Sequence, residues 1–422
     1  MTTPTDLSRL RALATEYAEI TNSPVMAERR EIWRRTNMLQ ERTVPFQIED
    51  NGTFFEDVMP PLQCEGGDER GFEYQLLRGI TNYRLIPDDR VLPPYHSVGW
   101  AIGRTFVCPE LTIRRAPDKT GRELGYETNE PMADLAHSLH KLVPTEFSVN
   151  REDTFRRLEL AATAFGDILP SRIVGYDVTY AGTGLAHKPV VLMGMDNFYM
   201  AMIDQPENVH AFFQFLVDDA YRFVDWLEAE GLITLNNCEY DVGSGSCGLT
   251  DELPRRTIAQ GDDPLAPEDH ALGTDCWGWI EAQEAIGLSP THYAEFIFPY
   301  QKMMADRLGL VYYGCCEPVH AFWDTIKGMG NVRKVTVSPW CDQEIIAAKV
   351  GRDVVLSRKP HPLQLCGETF DAAGFAAYNK ETLDIARDNF VELIFRDTCT
   401  LSGAMTERVQ EACGIIKRLI GR

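Results

Sequence analysis

No Cys-x-x-Cys pair occurs anywhere in the chain, which excludes zinc ribbons, thioredoxin-like redox centres and ferredoxin-type clusters. A Gly-x-x-x-x-Gly-Lys-Ser/Thr phosphate loop is missing as well. Apolar runs are too short for a secretory leader or a bilayer span. Basic residues are outnumbered, 41 Lys and Arg against 63 Asp and Glu, for a formal charge of -22. Phosphate-rich partners need basic patches, so neither nucleic acid nor a membrane surface is expected to bind. The eleven cysteines are odd in number and scattered, which fits reduced thiols and a cytoplasmic setting.

What is present is concentrated in one stretch, residues 310–320, Leu-Val-Tyr-Tyr-Gly-Cys-Cys-Glu-Pro-Val-His. Leu310 to Tyr313 is short, β-rich and continuously apolar, as a parallel strand buried on both faces should be. Gly314 ends it, and Pro318 suits the first turn of a following helix. Cys315, Cys316 and Glu317 therefore fall at the carboxyl end of a strand, where parallel α/β folds carry their chemistry. Free cysteines are commonly small buried hydrophobes, but two adjacent thiols followed by a carboxylate also suit a metal site, with zinc the best match. Adjacent residues on a strand point to opposite faces, so both thiols reach one side only if the chain has already turned.

Along the chain, residues 1–42 read as a helical extension, with helices over 7–18 and 26–39. Strands are expected at 43–49, 90–98, 171–178, 232–237, 275–283, 310–313, 333–340, 353–360 and 391–395. Between them lie helical patterns at 152–165, 206–230, 342–350, 383–389 and 405–420. Residues 101–150 are Arg-rich, turn-rich and aperiodic, an insertion of unreadable role. Residues 238–275 form a second insertion, a long polar segment with the length of a lid or binding loop. Not every strand is followed by a helix, and the strand-plus-helix units number eight, which predicts an α/β fold of the (β/α)8 barrel type over residues 43–422.

Phe165-Gly-Asp-Ile-Leu-Pro170, Gly287-Leu-Ser-Pro290, Glu295-Phe-Ile-Phe-Pro-Tyr300 and the strand ends after them are similar to those of the uroporphyrinogen decarboxylase superfamily. The resemblance runs from about residue 43 onward. Within it, the chain most resembles the zinc-dependent, corrinoid-linked branch typified by methylcobamide:coenzyme M methyltransferase. The porphyrinogen-binding features of the decarboxylases, an arginine-rich first strand end and an aspartate after the second strand, do not stand at 47–52 or 95–98.

For this chain the resemblance implies a methyltransferase moving a methyl group between a small O-, N- or S-methyl compound and a corrinoid. The alternative is a decarboxylase acting on a non-porphyrin carboxylate. Zinc ligands would be Cys316 and Cys399, which match the branch, with Glu317 as the expected third; Gly314 stands where the branch has a histidine. Cys315, His96 and Glu239 remain substitutes for that third position. No Asp-x-His-x-x-Gly motif is present, so the corrinoid (cobalamin) would arrive on a separate protein. Besides that carrier, the expected partners are the methyl donor or acceptor and, as one assembly open to it, a second copy in a homodimer. Glu239 and Gln283, at strand ends, are candidates for catalysis. His96, Asn237, Trp340, Arg358 and His361 are candidates for holding substrate, with Arg358 and Lys359 placed either to meet a carboxylate or to pair with the surplus acids.

Overall fold

The computed structural model describes residues 2–49, 52–117, 125–174, 184–239, 241–253, 271–398 and 400–422. Their strands, in chain order, are β1 (Phe46–Ile48), β2 (His96–Gly99), β3 (Ala101–Arg104), β4 (Ile113–Ala116), β5 (Gly125–Thr128), β6 (Phe147–Asn150), β7 (Ser171–Val174), β8 (Trp277–Ile280), β9 (Leu310–Tyr313), β10 (Val332–Val337), β11 (Val355–Arg358) and β12 (Val391–Phe395).

Six of these form one parallel sheet in the order β1-β12-β11-β10-β9-β8. The first strand lies beside the last, which is how a barrel closes, and the sheet curls into part of one. β2 and β7 form a separate parallel pair. The fold is therefore mixed α/β and barrel-like, and the described residues do not show a complete ring of eight strands.

Both edges of the six-stranded sheet are finished by side chains. On β1, Asp89 Oδ2 accepts from Phe46 N at 3.0 Å and Asp88 Oδ2 from Ile48 N at 2.9 Å. On β8, Asn236 imitates a peptide group, accepting from Trp277 N at 2.8 Å and donating to Trp277 O at 2.9 Å. These contacts replace a ladder where an open edge would leave buried amides unpaired. They also explain why residues 232–237 are not a strand: asparagines favour local side-chain pairing over a pleated run.

Other expectations also shift. Residues 101–150 hold two small antiparallel pairs, β3 with β6 and β4 with β5. The helix expected at 383–389 is instead Ala372–Ile385, started by Asp371, whose carboxylate accepts from Ala373 N and Gly374 N. The N-terminal helices, Pro4–Thr21 and Pro24–Asn37, each begin with a hydroxyl cap followed by proline. No helix among the described residues is long and apolar enough to cross a membrane.

Period-two alternation divides the sheet into two unlike faces. Val311, Tyr313, Val335, Val337, Leu356, Leu393 and Phe395 join the main apolar core beneath the outer helices. The inner face instead carries Tyr312, Lys334, Thr336, Ser357 and Glu392, all buried. A tight hairpin from the second insertion fills the space between them. Asp241 bridges to Cys247, Val242 N donates to Ser246 O at 2.8 Å and Ser246 N donates to Gly243 O at 2.9 Å.

Gly243 (φ +153°) lies so close to Tyr312 that a Cβ there would come within 2.5 Å of the ring, and at Gly245 (φ +80°) one would approach Ile394 to 3.0 Å. The segment Gly243-x-Gly245-x-x-Gly248 has dinucleotide-fingerprint spacing, but it lies in this hairpin and does not link a strand to a helix. What was expected as a lid is, in its described part, an interior plug.

Lys334 locks that plug to the sheet. Its ammonium donates to Glu392 Oε2 at 2.9 Å, Ser246 Oγ at 2.6 Å and Cys247 O at 3.0 Å, which uses all three of its protons. The Trp33 and Trp277 rings lie 5.2 and 5.7 Å from it. Burial raises the cost of ionising Glu392, but the Lys334 and Lys359 charges outweigh it and hold the carboxyl below its usual range. Lys334→Met, which strands Glu392, should cost about 3–5 kcal/mol in denaturant unfolding, and Lys334→Met with Glu392→Leu should cost clearly less.

Candidate functional site

Gly314 turns the chain at the end of β9, with φ +97°, and a Cβ there would come within 3.1 Å of Thr336 and 3.3 Å of Val319. Its carbonyl accepts from Trp279 Nε1 at 2.9 Å and Thr336 Oγ1 at 3.0 Å. Because the strand has ended, Cys315 and Cys316 no longer alternate, and their sulfurs lie 3.6 Å apart, half-buried. The shared hydrogen bond, reinforced by burial, pushes the Cys315 thiol well up, and the same bond draws Cys316 down against burial. Arg396 faces both sulfurs electrostatically and Asp397 faces Cys316, which brings the end of β12 to the thiol pair. Arg396 is fixed by Glu49, at 2.9 Å, and by Ser244 of the hairpin, at 2.7 Å.

Two thiolates on one tetrahedral zinc sit about 3.8 Å apart for Zn–S near ~2.3 Å, so the sulfur pair has a fitting separation. Glu317 is buried, and its two oxygens already accept from Ala282 N at 2.9 Å and Cys315 N at 2.8 Å. Burial raises its pKa while those amides oppose the rise. Among the described residues no group of three His, Cys, Asp or Glu side chains is arranged to hold an ion. Cys399 lies outside the described residues.

Below the thiols is a polar layer. Lys359 donates to Ser357 Oγ at 2.7 Å, and that oxygen also accepts from Tyr312 OH at 2.9 Å. The lysine ammonium lies 5.3 Å from the centre of the Tyr312 ring. Burial pushes Lys359 down to about 7; Glu392 and Cys315 work against that, and Arg396 and Lys334 add to it.

The remaining expected residues are dispersed. His96 is buried on β2 between the rings of Phe72 and Phe165, and burial lowers its pKa to about 4. Glu239 pairs with Arg30 of the second N-terminal helix at 2.9 Å. Asn237 donates to Thr250 O at 3.3 Å. Arg358 occupies the outer face of β11, donating to Val337 O, Ser338 O and Tyr378 OH. Trp340 is 61% exposed, edge-on to His361 at 5.3 Å, and His361 N donates to Tyr378 OH. Gln283 donates to Glu284 Oε1 at 3.3 Å.

Sequence reasoning passed over the residues around Gln283. Glu281 is buried, accepting from Gln283 N at 2.9 Å and Gly184 N at 3.3 Å, and buried Glu284 meets His187 Nδ1 at 2.8 Å. Burial, then the charges of Glu284 and Glu317, push Glu281 up to about 8. The signal was available as Glu281-Ala-Gln-Glu284 directly after a strand. A carboxyl raised by folding stabilises fully below its unfolded pKa and loses that contribution as pH rises through 8. Glu281→Gln should therefore flatten the fall in stability between pH 5 and 8, a slope of up to about 1.4 kcal/mol per pH unit. Denaturant titrations of both proteins across that range measure it.

No family model matches the chain, and neither does any curated protein. Its fold is similar to that of a solved methyltransferase from Methanosarcina mazei, 12% identical, over 82% of this chain and 85% of that one, with a TM-score of 0.44.

Proposed function

We propose that the chain is a zinc-dependent methyltransferase that moves a methyl group between a small O-, N- or S-methyl compound and a corrinoid carried by a separate protein. The observation that supports this reading most is the turn at Gly314, which sets two thiols 3.6 Å apart beside Arg396 at the inner strand ends. The residues that would hold the ion are Cys316 and Cys399, with Glu317 as the third ligand and Cys315 as its substitute. Bound there, zinc would supply Lewis acidity toward the heteroatom that carries the methyl group.

The chain's own residues have separable tasks. The hydrogen bond from Cys315 favours the thiolate of Cys316, the form that binds metal. Glu317 fixes the turn through its two backbone contacts. Arg396, tied to Glu49 and Ser244, keeps the end of β12 against the thiols.

A decarboxylase is the second reading, favoured by one feature: the cation of Lys359 in the same interior, which suits a substrate carboxylate. One assay separates the two. Protein purified without a chelator should carry one zinc per chain and demethylate its substrate only when a reduced corrinoid or its carrier is added, in step with methylation of that corrinoid. Cys316→Ser and Cys399→Ser should each lose the metal and the activity while folding normally, and Cys413→Ser, on the helix Thr406–Leu419, should keep both. Carbon dioxide released without metal or corrinoid would establish the decarboxylase instead.

A further inference from the structure

The inner face carries two lysines whose surroundings are opposite. Lys334 has three acceptors for its three protons, one of them the carboxylate of Glu392. Lys359 is 5% exposed and has one side-chain acceptor, the neutral hydroxyl of Ser357. Its nearest acid, Glu392, is claimed by Lys334 at 2.9 Å, and the neighbouring Arg396 is paired with Glu49 at 2.9 Å. The described residues thus close two ion pairs around Lys359 and give it no anion of its own. Three cations, Lys334, Lys359 and Arg396, thus share the carboxylates of Glu392 and Glu49, and an anionic ligand with two acceptor oxygens would balance the surplus positive charge.

We propose that Lys359 is the binding site for a carboxylate of the substrate. The amine lies on the inner face, 2.7 Å from Ser357 Oγ and 5.3 Å from the centre of the Tyr312 ring, within the electrostatic reach of Glu392, Arg396, Cys315 and Lys334. Arg358, its sequence neighbour, is turned to the outer face and spends its donors on Val337 O, Ser338 O and Tyr378. The inference names the substrate class, a carboxylic acid, and it rests on the methyltransferase reading only for the statement that this acid is methylated.

The test uses neither corrinoid nor methyl donor, so it stands or falls apart from the methyl-transfer assay. Acetylation of Lys359 by acetic anhydride is followed by mass spectrometry near pH 7, with benzoate or with neutral benzyl alcohol as the probe. Benzoate should slow the labelling and benzyl alcohol should not. Calorimetry should show benzoate bound by the full-length protein, with affinity falling about tenfold per pH unit above 7 as the ammonium is lost. Lys359→Met, verified as folded by thermal unfolding, should weaken benzoate about tenfold to a hundredfold, and Lys359→Arg should recover part of the loss. Equal labelling with both probes, no detectable benzoate binding, or unchanged affinity in Lys359→Met would each overturn the proposal.

Discussion

The interior depends on one buried ion pair, Lys334 with Glu392. An ammonium fully removed from water is tolerable only when its remaining protons are occupied, and here the two further acceptors of Lys334 come from the hairpin at 241–247. The hairpin can enter because glycines at 243 and 245 bring its backbone against Tyr312 and Ile394 without side chains between them. Its position then fixes Ser244, which holds Arg396. One electrostatic requirement at the base of the lumen thus determines where the guanidinium beside the thiols sits.

Above the plug, burial separates groups that would be equivalent in water. Cys315 and Cys316 share a hydrogen bond and are driven in opposite directions by it. Lys334 and Lys359 share an acid, and only the first has it as a direct partner. Glu281 and Glu317 are both raised by burial and by the charge of Glu284, and each is opposed by two backbone amides, while Glu281 is pushed further by the charge of Glu317. The result is a compact region of unlike protonation states at the inner strand ends, the condition for placing acid, base and metal-binding groups together.

Much of this layout was readable in advance. Apolar continuity marked β9 and β12, glycine and proline bounded the turn after Tyr313, and the thiols fell at the strand end that the pattern indicated. Less readable was anything depending on side chains that imitate backbone. Asn236 replaced an expected strand, and Asp88 and Asp89 finished an edge that period alone would have given to a neighbouring strand. His96 was a candidate for its place near an expected strand end, and the structure sets it between two phenyl rings.

By itself the sequence determined the alternation of short buried strands with helices, the surplus of acid and the pairing of thiols at a strand end, because those follow from local periodicity and neighbouring residues. Only the tertiary structure decided which of two consecutive cations, Arg358 or Lys359, faces the interior, and that the hairpin at 241–247 packs against the inner face of the sheet. Those outcomes depend on strand register and on contacts between residues far apart in the chain. A shift of one residue along β11 would exchange the two cations, and nothing local to Ser357-Arg-Lys-Pro360 sets that register.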